Sequence, residues 1–262
     1  MGTPPLQAYS ANSVWSEGLR TASLHALKRA LDLVYPPQCA GCDTQTTAPH
    51  GLCPTCWRDT DFISGAICHL CGAPVPLAEP GQVALCEPCL AAPPNWDAGR
   101  AAILYRGTGR RIVLSLKHGD RLDLVRTVAG WMQRAAPDLV AEADIIAPIP
   151  LHWRRYVQRR YNQAAEIAKA LGRASPAVVI PDLLTRPRAT PPQEGMDRET
   201  RFETQRGALT LARPGAVAGR SILLIDDVMT SGATLAAATE ALRGAHPARV
   251  AVLVLARVAR DE

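Results

Sequence analysis

Short runs of consecutive apolar residues alternate with helical periodicity through the second half of the chain. AAILY (101–105), ADIIAPIP (143–150), SILLI (221–225) and RVAVLVLA (249–256) have strand length and almost no polar interruption. Such runs predict strands covered on both faces. Between them RRIVLSLKHG, LVRTVAGWMQRAA, YNQAAEIAKALG and the stretch from Thr234 to Arg243 read as helices. Gly172 stops the third of these. Strands alternating with helices predict an α/β fold, a parallel sheet flanked by helices. DLLTR (182–186) and GALTL (207–211) predict strands on either side of a long polar stretch, Arg186 to Arg206. The first part differs. Met1 to Ser13 is polar. Val14 to Val34 predicts a helix with Trp15, Leu19, Leu24, Leu27, Leu31 and Val34 on one stripe, expected to pack on its own protein. The prolines of YPPQC end it. A cysteine-rich stretch follows, then the linker AAPPNW (91–96). The expected divisions are a tail and amphipathic helix at 1–35, a cysteine module at 36–92 and an α/β domain at 96–262.

The 262 residues suffice for one ordinary domain and a smaller one. Aromatic residues make up only 5%, so the core must be built from Ala, Leu, Val and Ile. The net charge of +5 permits an anionic partner without requiring one. Lys28, Lys117 and Lys169 are the only lysines, so nearly all the positive charge is arginine, which suits bidentate phosphate contacts. No apolar run approaches the ~18 residues of a membrane helix, and no secretory leader pattern opens the chain. The expected location is cytoplasmic, with no membrane insertion.

All eight cysteines fall in C-x-x-C pairs: Cys39/Cys42, Cys53/Cys56, Cys68/Cys71 and Cys86/Cys89. In a reducing compartment this pattern points to metal rather than disulfides. Each C-x-x-C turn presents two thiolates, and two turns complete a tetrahedron, so eight sulfurs predict two closed structural zinc sites. An iron–sulfur cluster or a redox dithiol is the minor alternative. Sequential pairing, first with second and third with fourth, and interleaved pairing are both open. The module is too short for its core to hold it, so metal should drive its folding.

ILLIDDVMTSGATL (222–235) carries a buried run into two carboxylates, Asp226 and Asp227, then into a Thr/Ser/Gly loop. At the carboxyl end of a parallel sheet such a loop, opening a helix, turns backbone N–H groups toward an anion. Hydroxyl acceptors beside phosphate donors describe a ribose 5-phosphate, and the carboxylates suit a phosphate-bound Mg2+.

This stretch resembles the 5-phosphoribosyl-1-pyrophosphate (PRPP) motif of type I phosphoribosyltransferases. PIPLHWRRYVQRRYNQAAEIAKAL and LSLKHGD, after a cysteine-rich module, further resemble the ComF family, over roughly Pro36 to Ala256. The resemblance implies a type I phosphoribosyltransferase-like domain behind a double zinc ribbon. It implies Asp226 and Asp227 at the ribose hydroxyls, and Thr230, Ser231, Gly232, Ala233 and Thr234 around the 5-phosphate. Candidates for pyrophosphate and the mobile loop are Lys117, His152, Arg154, Arg155, Arg160 and Arg186. Thr190, Gln193, Arg201 and Arg206 also stand at familiar loop positions, whereas Thr204 and Leu209 depart from the family's Asn and Phe. Thr230 stands where purine-salvage members carry an acidic base, so no catalytic residue is assigned. An acceptor-covering hood would have to come from elsewhere, with Trp96 to Arg126 a candidate.

The family's link to DNA uptake implies a PRPP-binding protein handling single-stranded DNA during natural transformation, with DNA and uptake proteins as partners. The alternative is an active transferase with an unidentified acceptor. Arginines at 106–126 and 154–160, interleaved with Tyr105, Trp153, Tyr156 and Tyr161, suit a single strand or pyrophosphate alone.

Overall fold

The computed structural model describes residues 36–47, 51–75, 83–118, 121–153, 156–157, 160–190 and 197–258. The helix expected over Val14 to Val34 lies outside them, as do Arg154, Arg155 and Gln193.

Two short helices, α1 (Pro54–Arg58) and α2 (Glu87–Ala91), belong to the cysteine module, and each begins directly after a cysteine with proline in its first turn. There follow β1 (Ala98–Leu104), α3 (Gly107–His118), α4 (Leu124–Ala135), α5 (Pro137–Ala141) and β2 (Ile145–Pro148). Next come α6 (Gln163–Gly172), β3 (Val178–Val179), β4 (Leu184–Thr185), α7 (Arg198–Gln205) and β5 (Thr210–Leu211). The chain closes on β6 (Ser221–Met229), α8 (Ala233–Arg243) and β7 (Arg249–Arg257).

Five strands form a sheet in the order β1-β7-β6-β2-β3, parallel as the alternating pattern predicts, with β3 a short edge strand that the pattern did not mark. The two strands expected around the polar stretch do not join it. β4 and β5 pair antiparallel with each other, Leu184 opposite Leu211, as a separate hairpin. They are two residues each. The polar stretch between them contains α7, capped by Asp197, whose carboxylate accepts from Thr200 N at 2.8 Å.

The sheet has a core on each face. Leu223 and Ile225 of β6 point to one, with α3, α4 and α6; Ile222 and Leu224 point to the other, with α8 and the hairpin. The cysteine module divides between them. Ala40 and Phe62 join the first core, while Cys68, Cys71, Cys89 and Trp96 join the second. The module is thus built into both faces at the β1 edge, not tethered beyond a flexible linker. Contact there is close. A Cβ at Gly99 of β1 would lie 2.1 Å from the carbonyl oxygen of Leu70, in the third C-x-x-C turn.

Candidate functional site

The cysteines collect sequentially. Cys39, Cys42, Cys53 and Cys56 form one group and Cys68, Cys71, Cys86 and Cys89 the other, with the sulfurs of each group within 4.8 Å of one another. Cys42 and Cys53 Sγ stand 3.7 Å apart, and Cys71 and Cys86 Sγ 3.5 Å. Both are close to the ~3.8 Å edge of a tetrahedron with 2.3 Å metal–sulfur bonds. Backbone N–H groups of Gly41 and Cys53 donate to Cys39 Sγ at 3.3 and 3.2 Å, which stabilises a thiolate. Both groups fit a four-sulfur zinc site with no open position, hence a structural one.

Thiol acidities diverge within each group. Cys42 is lowered to about 6, chiefly by its hydrogen bond with Thr44, while burial pushes Cys56 up to about 12. Cys68 is lowered to about 4 by the hydrogen bond from Cys71, and Cys71 is raised by the same bond and by burial. Burial likewise pushes Cys89 up to about 12. The raised thiols, Cys56, Cys71 and Cys89, give up their protons to a bound cation, so zinc loading releases protons and weakens as pH falls.

The acid pair lies where the sheet opens. β6 continues through Asp226 and Asp227 to Met229, because its pairing with β7 runs to Met229 opposite Arg257. On the other side β2 follows it only as far as Pro148 opposite Ile225, and Ile149 N caps that ladder on Ile225 O at 2.9 Å. The carboxylates therefore begin at the residue where β2 diverges. That leaves a crevice at the strands' carboxyl ends.

Lys117 Nζ meets Asp227 Oδ1 at 3.1 Å, both side chains largely buried. The lysine is carried by the last turn of α3, which YNQ fixes. Tyr161 Oη and Gln163 Nε2 both donate to Leu116 O, at 2.7 and 3.1 Å. Asn162 caps α6 through Ala164 N and donates to Ile149 O at 2.9 Å. The motif thus ties α3, β2 and α6 together beneath the crevice. Asp226 accepts from Asp227 N at 2.9 Å. Its carboxyl is pushed up to about 7, by burial first and then by the Asp227 charge, with Lys117 and Arg186 opposing. The structure thus brings Lys117 and Arg186 to the acid pair.

The loop after β6 opens α8. Gly232 has φ +82°, the left-handed region, and a Cβ there would also lie 2.8 Å from the Trp96 ring. Ser231 Oγ accepts from Ala233 N at 3.4 Å. Trp96, 4% exposed, donates from Nε1 to Leu70 O at 2.6 Å. Its indole therefore connects the second cysteine group to the loop. Arg257 was not among the sequence candidates, although an arginine closing a buried strand level with Met229 was the available signal. Its Nη1 donates to Met229 O, Thr230 O and Val258 O at 3.1, 2.5 and 3.0 Å.

Of the remaining candidates, His152 is buried with its ring 5.6 Å from that of Trp153. Arg160 is exposed and left-handed at φ +64°. Arg186 Nη1 reaches Thr190 Oγ1 at 3.4 Å. Leu209 packs in the second core and Arg206 is exposed at the end of α7.

Comparison with known proteins agrees with this geometry. Residues 30–91 match the double zinc ribbon domain and residues 163–262 the phosphoribosyl transferase domain. The chain is therefore a zinc-ribbon protein with a phosphoribosyltransferase domain. It is 27% identical over 232 residues to the DNA utilization protein YhgH of Escherichia coli (strain K12), covering 86% of this chain and 99% of that protein. The Salmonella typhimurium protein of that name is 28% identical over the same length, with the same coverage. Competence protein F of Haemophilus influenzae is 26% identical over 216 residues, 80% of this chain and 92% of that one. The chain is thus similar to these proteins over most of its own length and theirs. No described helix is long and apolar enough to cross a membrane.

Proposed function

We propose that this protein binds PRPP, or a related ribose 5-phosphate ligand, with Mg2+ in the crevice above β6 and β2, and handles single-stranded DNA during natural transformation in the cytoplasm. The reading rests on one observation: the acid pair, with Lys117 on Asp227 and Arg186 acting on Asp226, stands directly before the Gly232 loop at the start of α8. Asp226 and Asp227 accept the ribose hydroxyls, and Thr230, Ser231, Gly232, Ala233 and Thr234 hold the 5-phosphate. Lys117, His152, Arg154, Arg155, Arg160 and Arg186 serve the pyrophosphate and its Mg2+. Residues 36–92 form the double zinc ribbon, with Cys39, Cys42, Cys53 and Cys56 on one zinc and Cys68, Cys71, Cys86 and Cys89 on the other. Residues 96–262 form the ligand-binding domain.

The names of the relatives, DNA utilization protein and competence protein, support the DNA part of the reading. Calorimetry with PRPP and Mg2+ tests the site: wild type should bind, and Asp226→Ala/Asp227→Ala should lose at least tenfold. Retained affinity in the double variant would sink the assignment. For DNA, the affinity of a labelled oligonucleotide should fall steeply with salt, and no binding at low salt removes that part. Pyrophosphate release from PRPP in the presence of an acceptor base would establish the alternative, an active transferase.

A further inference from the structure

A cavity of about 430 Å3 lies between the second cysteine group and the loop after β6. Cys71, Cys89 and Pro88 wall it on the ribbon side, and Thr230, Ser231 and Ala233 on the loop side. Asp226, Asp227, Lys117 and Arg186 do not line it, so it is a second compartment sharing only the loop with the acid pair. Its volume falls in the range of sites that enclose a small organic ligand.

The walls are flat. Ala236 and Ala237 on α8 present no side chain beyond a methyl, and Pro93 and Pro94 of the inter-domain segment contribute rigid rings. Phe202 of α7 adds an aromatic edge. A slot of this composition suits a planar ring. Polar groups sit at different points of the rim. Arg206 joins the hydroxyls of Thr230 and Ser231, which suits an anionic group, while Glu240, one turn beyond Ala236, can accept from an amino group. An apolar planar body with an anion on one side and an amine on the other describes a nucleotide whose base carries an exocyclic amine, adenine, cytosine or guanine.

We infer that this cavity between the second zinc ribbon and the loop 230–233 is a nucleobase-binding compartment, the ribbon covering the base of a nucleotide whose sugar-phosphate lies on the loop. The sugar-phosphate half rests on the reading of the loop above; the base half does not. The nucleotide comes either as a free monophosphate or as one unit of a single strand, and the two share this chemistry.

The test uses the full zinc-loaded chain. Calorimetry compares dAMP, dCMP, dTMP, adenosine and ribose 5-phosphate, and fluorescence anisotropy follows a labelled (dA)20. Wild type should bind dAMP and dCMP at least tenfold more tightly than ribose 5-phosphate. Ala236→Phe fills the slot and should lose that tenfold while keeping ribose 5-phosphate affinity within twofold. Equal affinity of dAMP and ribose 5-phosphate in wild type overturns the proposal, as does undiminished dAMP binding in Ala236→Phe. Should that variant fail to fold, exposed Glu240→Ala decides: dAMP and dCMP should weaken about fivefold and dTMP not at all, and no change overturns the proposal. Adenosine separates the two readings. If ribose 5-phosphate does not bind but adenosine does, and Ala236→Phe abolishes it, the loop reading fails and the compartment stands. If (dA)20 weakens in Ala236→Phe as dAMP does, the source is a strand; if only dAMP weakens, it is the free nucleotide.

Discussion

The two zinc-binding groups share a ligand set and differ in what lies behind it. The first presents Cys42 to solvent and rests on the start of α3, where Thr108 Oγ1 donates to Asp59 Oδ2 at 2.7 Å and Arg111 Nη2 approaches Cys56 Sγ at 3.8 Å. That contact is at the far end of α3 from Lys117, the residue through which the helix meets the acid pair. The second has Cys68 and Cys71 buried in the core beneath α8, and through Trp96 it touches the loop glycine itself. One ribbon therefore staples a domain edge, while the other also shapes a ligand site. Repetition in the sequence conceals this, because both halves read as C-x-x-C pairs.

The largest expected effect comes from removing one ligand on each side. Cys71→Ser should cost several kcal/mol, since structural zinc holds such modules folded, and should lower PRPP affinity with it. Cys42→Ser should lose a single zinc by metal analysis, with PRPP affinity kept within twofold. Equal loss of PRPP binding in the two variants would erase the distinction between the ribbons.

Tryptophan replacement comes next. Trp96→Ala opens a cavity in the second core and should cost about 3 kcal/mol in thermal or urea unfolding, with weaker PRPP binding. Trp57, 56% exposed, lies tilted against Phe62 with centroids 4.8 Å apart. Trp57→Ala should cost ~1 kcal/mol and leave binding alone. The arginines beside each group repeat the contrast on a smaller scale. Arg257→Met strips three carbonyls of their donor and should cost about 2 kcal/mol. Arg111→Met, at an exposed ion pair, should cost ~0.5 kcal/mol or less.

Several of these features were open to reading from sequence. Four apolar residues running into two acids sufficed to find β6 and its acid pair, but not its end, since pairing with β7 carries the strand on to Met229; the C-x-x-C spacing identified all eight cysteines of the two groups. Pairing was not legible, because loops of ten and eleven residues between the first three pairs permit either arrangement. α7 was missed because its eight residues, RETRFETQ, carry a single large apolar side chain, Phe202; its Asp197 cap and its packing on α8 hold it instead. The roles of Arg257 and of Trp96 against Gly232 depend on β7 pairing with β6 and on the ribbon folding back over the sheet. Both are contacts between distant segments that no local pattern encodes. Arg160, a pyrophosphate candidate by resemblance, also stands in the left-handed region, which no sequence pattern here signalled.

The smallest expected effect is electrostatic and confined to the loop side. The Asp226 carboxyl is raised from its ordinary value to about 7 in the folded chain. Below about pH 4 both folded and unfolded forms hold the proton, and the group contributes nothing to the difference. Between pH 4 and 7 the unfolded chain releases the proton while the folded one keeps it, so this group lowers stability as pH rises, and above pH 7 the whole penalty is present. Asp226→Asn removes it. The variant should unfold about 1 kcal/mol harder than wild type at pH 8, after allowance for the solvent that reaches this half-buried group, and the gain should vanish by pH 4. Zinc content of the first group should be the same in both proteins at pH 8. A stability gain independent of pH would show that the acid pair carries no stored repulsion, and the ligand side would then differ from the staple side in shape alone.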